Sequence, residues 1–242
     1  MKTIAKFSNF LFRYTFPLYK ILYFIYKRIT DFEMISLMRN NIDKGTVILD
    51  IGANIGFYSL FFSKCTGANG LVIAFEPEKE NFSRLTKLTK DKKNIQLVNC
   101  AVSNNDLEID LYLSSDLNVD HHTYDDGQSR KSVKVKSVSI DSFLKLNFPD
   151  VIIDFIKIDI QGFDYFALKG MIDTINRSRK LTIFGEFWPY GLLMTKVDPE
   201  EYYRELINSG FLIRFIPSMP IEEILSKTNS HDFYINFIAY KN

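Results

Sequence analysis

The 242-residue sequence has only two cysteines, Cys65 and Cys100, and no Cys-x-x-Cys pair. This excludes a disulfide scaffold and a thiolate zinc cluster, and we expect both residues to serve as small buried apolar side chains. The sequence also lacks an excess of either charge, because 30 Lys and Arg are balanced by 29 Asp and Glu. The whole-domain basic surplus of a general nucleic-acid binder is therefore absent.

Proline and glycine are scarce, with 7 and 11 residues, while 46% of the residues are apolar. This composition excludes a disordered or fibrous chain and provides enough apolar surface for one substantial core. Basic residues interrupt the N-terminal apolar run too often for a transmembrane span, and no small-residue cleavage site marks a secretory signal. We therefore expect a cytoplasmic protein.

The first 30 residues differ in charge from the rest of the chain. They carry six basic residues and no acidic one, whereas the remainder has 24 basic and 29 acidic residues. Apolar residues recur there every three or four positions, which predicts an amphipathic helix that Pro17 breaks or kinks. Such a helix can pack on the core, pair with a second copy of the chain in a homo-oligomer, or lie peripherally at the inner face of a membrane. We interpret residues 1–42 as a helical extension and 43–242 as one domain.

From residue 46 onward, apolar strand-like runs alternate with helix-like segments. The runs lie at 46–51, 71–75, 95–98, 155–160, 181–187, 211–216 and 233–240, and the main helix-like segments at 57–64, 79–90, 163–175 and 199–210. Continuous apolar strands alternating with helices predict an α/β fold with a seven-stranded, mostly parallel, doubly wound sheet. Residues 107–113 and 133–138 alternate apolar with polar side chains and predict an inserted antiparallel β-ribbon, with a long polar loop at 114–131 between them.

A glycine-containing turn, DIGANIG, follows the first strand-like run at 50–56. Gly52 has no Cβ, so a ligand can approach the backbone, and Gly56 lets the next helix pack close to the strand. A dinucleotide fingerprint would have glycine where Asp50 stands, and a carboxylate beside a pyrophosphate would repel it. An acid there instead suits a ligand with a cationic amino acid end, such as S-adenosylmethionine. Glu76, at the tip of the second run, can accept hydrogen bonds from two ribose hydroxyls.

Five sequence blocks, in order, resemble the FkbM-type methyltransferases, a branch of the class I S-adenosylmethionine-dependent enzymes. The blocks are DIGANIGFYS (50–59), AFEP (74–77), NCAVSN (99–104), FIKIDIQGFDYFALKG (155–170) and GEFWPYGL (185–192). The resemblance covers about residues 46–216 and implies a Rossmann-like class I methyltransferase sheet with S-adenosylmethionine as cofactor.

The resemblance also implies roles for individual residues. Asp50, Gly52, Asn54 and Gly56 would surround the methionine part of the cofactor, Glu76 would bind its ribose, and Asn99, Ala101 and Ser103 would flank its adenine. Asp159 matches the acid of the family segment K-I-D-x-E-G, and Asp164 keeps a further acid. Gln161 departs from the segment, which usually has Glu there, so position 161 keeps a hydrogen-bond acceptor but carries no charge.

Methyl transfer is an in-line displacement that depends largely on holding donor and acceptor close and collinear. An alcohol acceptor must also lose its proton, so a carboxylate or imidazole near the hydroxyl would act as general base. Asp159 and Glu186, at the carboxyl ends of predicted adjacent strands, are the leading candidates, although strand-end acids also serve as helix N-caps or ion-pair partners. His122, in the cluster DHHTYDD, is the third candidate. No metal site is predicted, since the adjacent His121 and His122 point apart on most backbones.

The acceptor is predicted only from the family resemblance, as a hydroxyl of a sugar in a glycan or of a related small metabolite. Trp188 and Tyr190 follow Glu186 and can stack on the apolar face of a sugar or line the edge of the core. Nucleic acid is not expected as a partner, because the N/D-P-P-Y/F segment of DNA-base methyltransferases is missing after the fourth strand. The alternatives are a nucleotide-dependent oxidoreductase, which Asp50 disfavours, and a noncatalytic membrane-associated scaffold.

Overall fold

The computed structural model describes residues 2–114, 121–124, 127 and 130–241. Its strands are β1 (Val47–Ile51), β2 (Leu71–Phe75), β3 (Ile95–Val98), β4 (Ala101–Val102), β5 (Glu108–Leu113), β6 (Lys131–Val138), β7 (Phe155–Ile158), β8 (Leu181–Phe187), β9 (Leu212–Ile216) and β10 (Ile235–Lys241). Its helices are α1 (Lys2–Tyr14), α2 (Phe16–Thr30), α3 (Phe32–Asn40), α4 (Phe57–Thr66), α5 (Lys79–Thr89), α6 (Ile140–Asn147), α7 (Asp164–Lys169), α8 (Ile172–Arg177), α9 (Pro189–Met194), α10 (Pro199–Asn208) and α11 (Ile221–Leu225).

Seven strands form the main sheet in the order β3-β2-β1-β7-β8-β10-β9. The first five run parallel, while β10 is antiparallel to both of its neighbours. Neighbouring residues of one strand enter different cores: in β1, Ile48 joins one buried cluster and Leu49 another. Helices cover both faces, which is why the parallel strands read as continuous apolar runs. The predicted seven-stranded, mostly parallel α/β sheet is confirmed.

A smaller sheet holds the predicted ribbon. Strand β6 pairs antiparallel with β5 and parallel with β4, so the insertion has three strands in the order β4-β6-β5. The predicted ribbon is confirmed, and the short strand β4 was not expected. Much of the predicted loop at 114–131 lies outside the described residues.

The N-terminal segment forms three helices that pack on the domain. Thr15 separates α1 from α2, and Pro17 lies in the first turn of α2, where its missing N–H costs no helical hydrogen bond. The break predicted at Pro17 is therefore confirmed. Leu11 and Tyr19 pack with Ile55 of the glycine turn, so these helices contact the domain. No helix among the described residues has both the length and the apolar character needed to cross a membrane.

The helix predicted at 163–175 is divided into α7 and α8. The chain turns at Gly170, where a Cβ would lie 2.0 Å from the carbonyl oxygen of Ser103. The prediction of one continuous helix-like segment was therefore wrong at this turn, where the backbone of Ser103, a distant part of the chain, approaches closely.

Candidate active site

A cavity of about 770 Å³ opens at the carboxyl ends of β1, β2, β7 and β8. Residues from α2, the ribbon insertion and the segment before β10 complete its wall. The carboxyl edge of a parallel sheet is where open α/β folds bind ligands, because the connections to the helices diverge there and leave a crevice.

The glycine turn forms one side of the cavity. Gly52 lines it with φ 80°, and a Cβ at this position would lie 2.1 Å from the carbonyl oxygen of Asp159. Glycine thus allows the ends of β1 and β7 to approach each other. Asn54 also lines the cavity, and its backbone adopts a left-handed φ of 50°. Gly56 instead acts in packing: it precedes α4 with φ 95°, and a Cβ there would lie 2.6 Å from Leu85 Cδ1 of α5.

Glu76 lines the cavity at the tip of β2, with only 5% of its surface exposed. Its Oε2 accepts a hydrogen bond from the backbone N–H of Asn54 at 2.8 Å, and its Oε1 accepts one from Glu78 at 2.9 Å. Burial raises the pKa of Glu76 to about 7, although both backbone donors act to lower it. Each oxygen can accept a second hydrogen bond, so the carboxylate fits the predicted pair of ribose hydroxyls.

The three residues predicted to flank adenine have different positions. Ala101 lines the cavity. Asn99 instead donates through Nδ2 to the carbonyl oxygens of Glu76 and Pro77, at 2.8 and 3.1 Å, and so supports the loop that carries Glu76. Ser103 is buried, with its N–H donating to Val138, and is not among the described residues of the cavity wall.

The expectation that both cysteines are buried was wrong. Cys65 and Cys100 are each partly exposed, and Cys100 lines the cavity next to Ala101. Burial nevertheless raises the pKa of both thiols.

Asp50 is fully buried and is not among the described cavity-lining residues, so the structure does not place it in direct contact with a cofactor. It lies opposite Lys157 in the β1–β7 pair, where Lys157 Nζ is 3.5 Å from Asp50 Oδ1 and donates to the carbonyl oxygen of Gly52 at 2.9 Å. Ser59 Oγ donates to Asp50 Oδ2 at 2.5 Å. Asp50 therefore supports the turn through Lys157, which contacts both the Asp50 carboxylate and the Gly52 carbonyl oxygen.

Lys157 is a residue whose role the sequence interpretation missed. Its Nζ lies between the carboxylates of Asp50 and Asp159, 3.6 Å from Asp159 Oδ2. Burial acts to lower the pKa of Lys157, but the two carboxylates outweigh it and the net shift is upward. For Asp50, burial raises the pKa against the opposing effect of Lys157. A lysine within the apolar run FIKIDI was a usable signal, because a buried cation needs a partner.

Asp159 and Glu186 both line the cavity, at the ends of the adjacent strands β7 and β8. The Asp159 side chain is 37% exposed. Burial raises the pKa of Glu186 well above its usual range, and the charges of Asp159 and Asp164 add to the shift. Burial likewise raises the pKa of Asp164 to about 7, assisted by the charge of Asp159. Both carboxyl groups proposed as bases thus line one cavity, and the raised pKa of Glu186 favours a proton on that group.

The two histidines of the DHHTYDD cluster face different surroundings. His121 lines the cavity, and its Nδ1 accepts a hydrogen bond from the backbone N–H of Ser114 at 3.1 Å. His122 is buried, with its ring stacked on Tyr124 at 4.7 Å and tilted against Trp188 at 6.0 Å. Neighbouring residues of an extended segment point to opposite sides. His122, the candidate chosen from the sequence, is therefore buried and is not among the described cavity-lining residues, whereas His121 lines the cavity.

Several cavity residues were not expected from the sequence. Tyr23, Tyr26 and Lys27 of α2 line one side, and Asp232 and Tyr234 approach from the segment before β10. Local spacing carried no signal for these positions, since their approach depends on packing between distant parts of the chain. The N-terminal helices therefore contribute to the wall of the site.

Among the charged groups of the described cavity lining, acids outnumber bases. The lining contains the carboxyl groups of Glu76, Asp159, Glu186 and Asp232, whereas its lysine, Lys27, is paired with Asp31. Such a lining favours a cationic or neutral polyhydroxyl ligand over a polyanion. No group of three or more His, Cys, Asp or Glu suited to a metal ion occurs within the described ranges.

The parallel sheet, its antiparallel last strand and the cavity at its carboxyl edge define a class I methyltransferase architecture. The model of the methyltransferase FkbM domain matches residues 50–205, which is more than half of the chain. The chain therefore belongs to the FkbM methyltransferase family, and the predicted enzyme class is confirmed. No curated relative matches the chain.

Solved structures show the same fold at low sequence identity. The FkbM methyltransferase of Methylobacillus flagellatus KT has a TM-score of 0.51 and 17% identity, over 83% of this chain and 44% of that one. A SAM-dependent methyltransferase of Aquifex aeolicus has a TM-score of 0.50 and 16% identity, over 89% and 93% of the two chains. A candidate rRNA methylase of Clostridium thermocellum has a TM-score of 0.54 and 10% identity, over 86% and 95%. SAM is S-adenosylmethionine, the cofactor predicted from the sequence, so the name of the Aquifex protein agrees with that prediction.

Proposed function

We propose that this chain transfers a methyl group from S-adenosylmethionine to a hydroxyl of a sugar, in a glycan or a related small metabolite. One observation carries the proposal: Glu76 faces the same acidic cavity as Asp159 and Glu186. The carboxylate that would bind the ribose and the two acids that would act on the acceptor thus line one space. Family membership supports methyl transfer, and the chemistry of the lining supports a hydroxylated acceptor.

The glycine turn and the end of β2 fit the proposed cofactor. Glu76 would accept the ribose hydroxyls, the bare backbone at Gly52 would lie against the methionine part, and Ala101 would border the adenine. The acidic lining would favour the cationic ammonium and sulfonium groups. When bound, S-adenosylmethionine would supply a methyl group activated by its positive sulfur.

The opposite side of the cavity would hold the acceptor. The Asp159 side chain is 37% exposed, and we assign it the acceptance of the hydroxyl proton while the methyl group would pass from the cofactor sulfur to the acceptor oxygen. Glu186, with its raised pKa, would hold a proton and orient the acceptor by donating a hydrogen bond. Trp188 Nε1 donates to the carbonyl oxygen of His231 at 2.9 Å, which holds the indole at the cavity wall, where it can stack on a sugar.

The cofactor site is tested by calorimetric titration of S-adenosylmethionine into the wild type and Glu76→Ala. Loss of two hydrogen bonds to a carboxylate should weaken binding by about 100-fold or more. Glu80→Ala is the matched control, because Glu80 is an exposed glutamate nearby whose contact is with Arg84. Equal affinity of Glu76→Ala and the wild type would show that the ribose lies elsewhere.

The reaction is tested by methyl transfer to hydroxylated sugars, glycans, small alcohols and RNA. We expect transfer to a sugar hydroxyl, with Asp159→Asn lowering kcat while cofactor affinity stays within about twofold. Transfer to RNA would contradict the acceptor class and agree with the name of the Clostridium neighbour. A melting temperature raised by NAD but not by S-adenosylmethionine would favour the oxidoreductase alternative. Cofactor binding without transfer to any acceptor would favour a noncatalytic scaffold.

We further propose that the protein acts in the cytoplasm, with residues 1–30 in peripheral contact with the inner face of the membrane. The six basic residues of this segment and the exposed apolar side chains of α2 support the contact. Fractionation of cells producing the full chain tests the location, and recovery outside the cytoplasm and its membrane face would contradict it.

A further inference from the structure

Helix α2 exposes a continuous apolar surface, which we call the apolar face. It consists of Leu18, Ile21, Leu22, Ile25, Tyr26 and Ile29, each between 47% and 71% exposed. At 3.6 residues per turn these positions span an arc of about 140° on one side of the helix. Phe10, Tyr14 and Phe32 extend the exposed apolar surface onto α1 and the start of α3. Within the described ranges, no element covers the apolar face.

The opposite side of α2 is firmly packed on the domain. Tyr19 and Tyr23 stack with ring centroids 5.6 Å apart, and Phe24 meets Phe57 of α4 edge to face at 5.2 Å. Lys27 pairs with Asp31 at the end of the helix. These contacts hold the opposite side of α2 against the domain, so the apolar face is turned toward solvent.

Positive charge accompanies the apolar face. The first 30 residues contain six basic residues and no acidic one. Arg28 lies at one edge of the apolar face and Arg13 near the end of α1, and both are exposed. Exposed apolar side chains bordered by basic groups on one helix are typical of segments that lie in the interface of an anionic bilayer. A second copy on the same face would bring two identical cationic segments together, which charge repulsion disfavours.

The apolar face also borders the active-site cavity. Tyr26 belongs to both, and Tyr23 and Lys27 line the cavity from the adjoining side of α2. From these contacts we infer that α2 and the end of α1 lie in the interface of an anionic membrane, with the mouth of the cavity beside the lipid surface. This deepens the proposed function, on which it rests for the use of the cavity: acceptors held at the membrane, such as a sugar on a lipid carrier, would reach it directly.

Sedimentation of the full chain with lipid vesicles tests the inference. We expect binding to vesicles of phosphatidylcholine with phosphatidylglycerol and much weaker binding to phosphatidylcholine alone. The double variant Ile25→Glu, Ile29→Glu should bind anionic vesicles at least about tenfold more weakly, because two apolar contacts are replaced by charges that the surface repels. Leu146→Glu is the matched control, since Leu146 is 83% exposed on α6, outside the N-terminal helices, and should bind like the wild type.

A second arm tests the electrostatic part. Arg13→Gln with Arg28→Gln should lower affinity for anionic vesicles by about 25-fold, at about fivefold for each basic group removed near the surface. The control is Lys92→Gln with Lys93→Gln, which removes the same charge from exposed positions after α5. An equal loss in both double variants would indicate a nonspecific charge effect and would contradict the assigned face.

Titration with S-adenosylmethionine accompanies every variant and separates this inference from the proposed function. Lost vesicle binding with cofactor affinity retained supports the inference. A wild type that binds the cofactor but no vesicles overturns the membrane inference and leaves the proposed methyl transfer standing. A wild type that binds vesicles but no cofactor contradicts the proposed methyl transfer and leaves the membrane contact standing. A second copy, rather than a membrane, covers the apolar face if three results coincide: the wild type is a dimer in size-exclusion chromatography, the variant Ile25→Glu with Ile29→Glu is a monomer, and neither protein binds vesicles.

Discussion

Replacement of Lys157 by methionine should destabilise the protein far more than a typical ion-pair variant. Lys157 is buried; its Nζ lies 3.5 Å from Asp50 Oδ1 and donates to the carbonyl oxygen of Gly52 at 2.9 Å. Methionine keeps most of the side-chain volume but removes the cation, which leaves Asp50 as an unpaired buried carboxylate. Breaking a buried pair in this way costs about 3–5 kcal/mol of unfolding free energy, a large share of the stability of a domain.

The pH dependence of the loss follows from Asp50. Burial already raises the pKa of Asp50, and removal of Lys157 takes away the main opposing effect. A carboxyl group with a raised folded-state pKa stabilises the fold while it is protonated and loses that contribution as pH rises. The stability difference between Lys157→Met and the wild type should therefore be smaller at about pH 5 than at about pH 8.

Urea unfolding followed by far-UV circular dichroism at both pH values measures the effect. The double variant Lys157→Met, Asp50→Asn should recover part of the loss, because the amide carries no charge. Lys134→Met is the matched control: Lys134 contacts Asp110 at 2.7 Å on the exposed ribbon, so its unfolding free energy should stay near that of the wild type. A loss below about 1 kcal/mol for Lys157→Met, or one independent of pH, would refute the reasoning.

Two further predictions concern the glycine turn and the buried acid of α7. Gly52→Ala should lower the unfolding free energy by about 2 kcal/mol or more and weaken the binding of S-adenosylmethionine measured by titration, because the new Cβ meets the Asp159 carbonyl oxygen at a left-handed φ. The control is Gly45→Ala, which has φ 88° and nothing within 4 Å of the new Cβ, and should show only the smaller backbone strain. Equal losses in the two variants would contradict this reasoning. Burial raises the pKa of Asp164 to about 7, so ionisation of this group should lower the melting temperature of the wild type as the pH rises from about 5 to about 8. In Asp164→Asn this fall in melting temperature should be smaller. An unchanged pH profile would show that Asp164 does not titrate in this range.

The main sheet was predictable from the sequence because its signals are local. The runs that became β1 and β2 are mostly apolar segments that end just before Gly52 and Glu76, and both strands stay close to their predicted bounds. The order of the blocks also indicated that Asp159 and Glu186 would end adjacent strands. The division between α7 and α8 could not be foreseen, because the contact that requires Gly170 comes from Ser103, far away in the chain.

Residue type and spacing along the chain were sufficient to identify the α/β sheet, the glycine turn and Glu76 at the tip of β2, while the methyltransferase class came from the resemblance of five sequence blocks to a known family. Such features depend on the backbone freedom of glycine, the period of apolar residues and the chemistry of a strand end, all of which are local. The pairing of Lys157 with Asp50, the position of His121 in front of His122, and the wall that α2 adds to the cavity emerged from the folded chain. Each depends on which distant segments pack together and on which side of its element a group is buried, and neither is encoded by spacing along one segment.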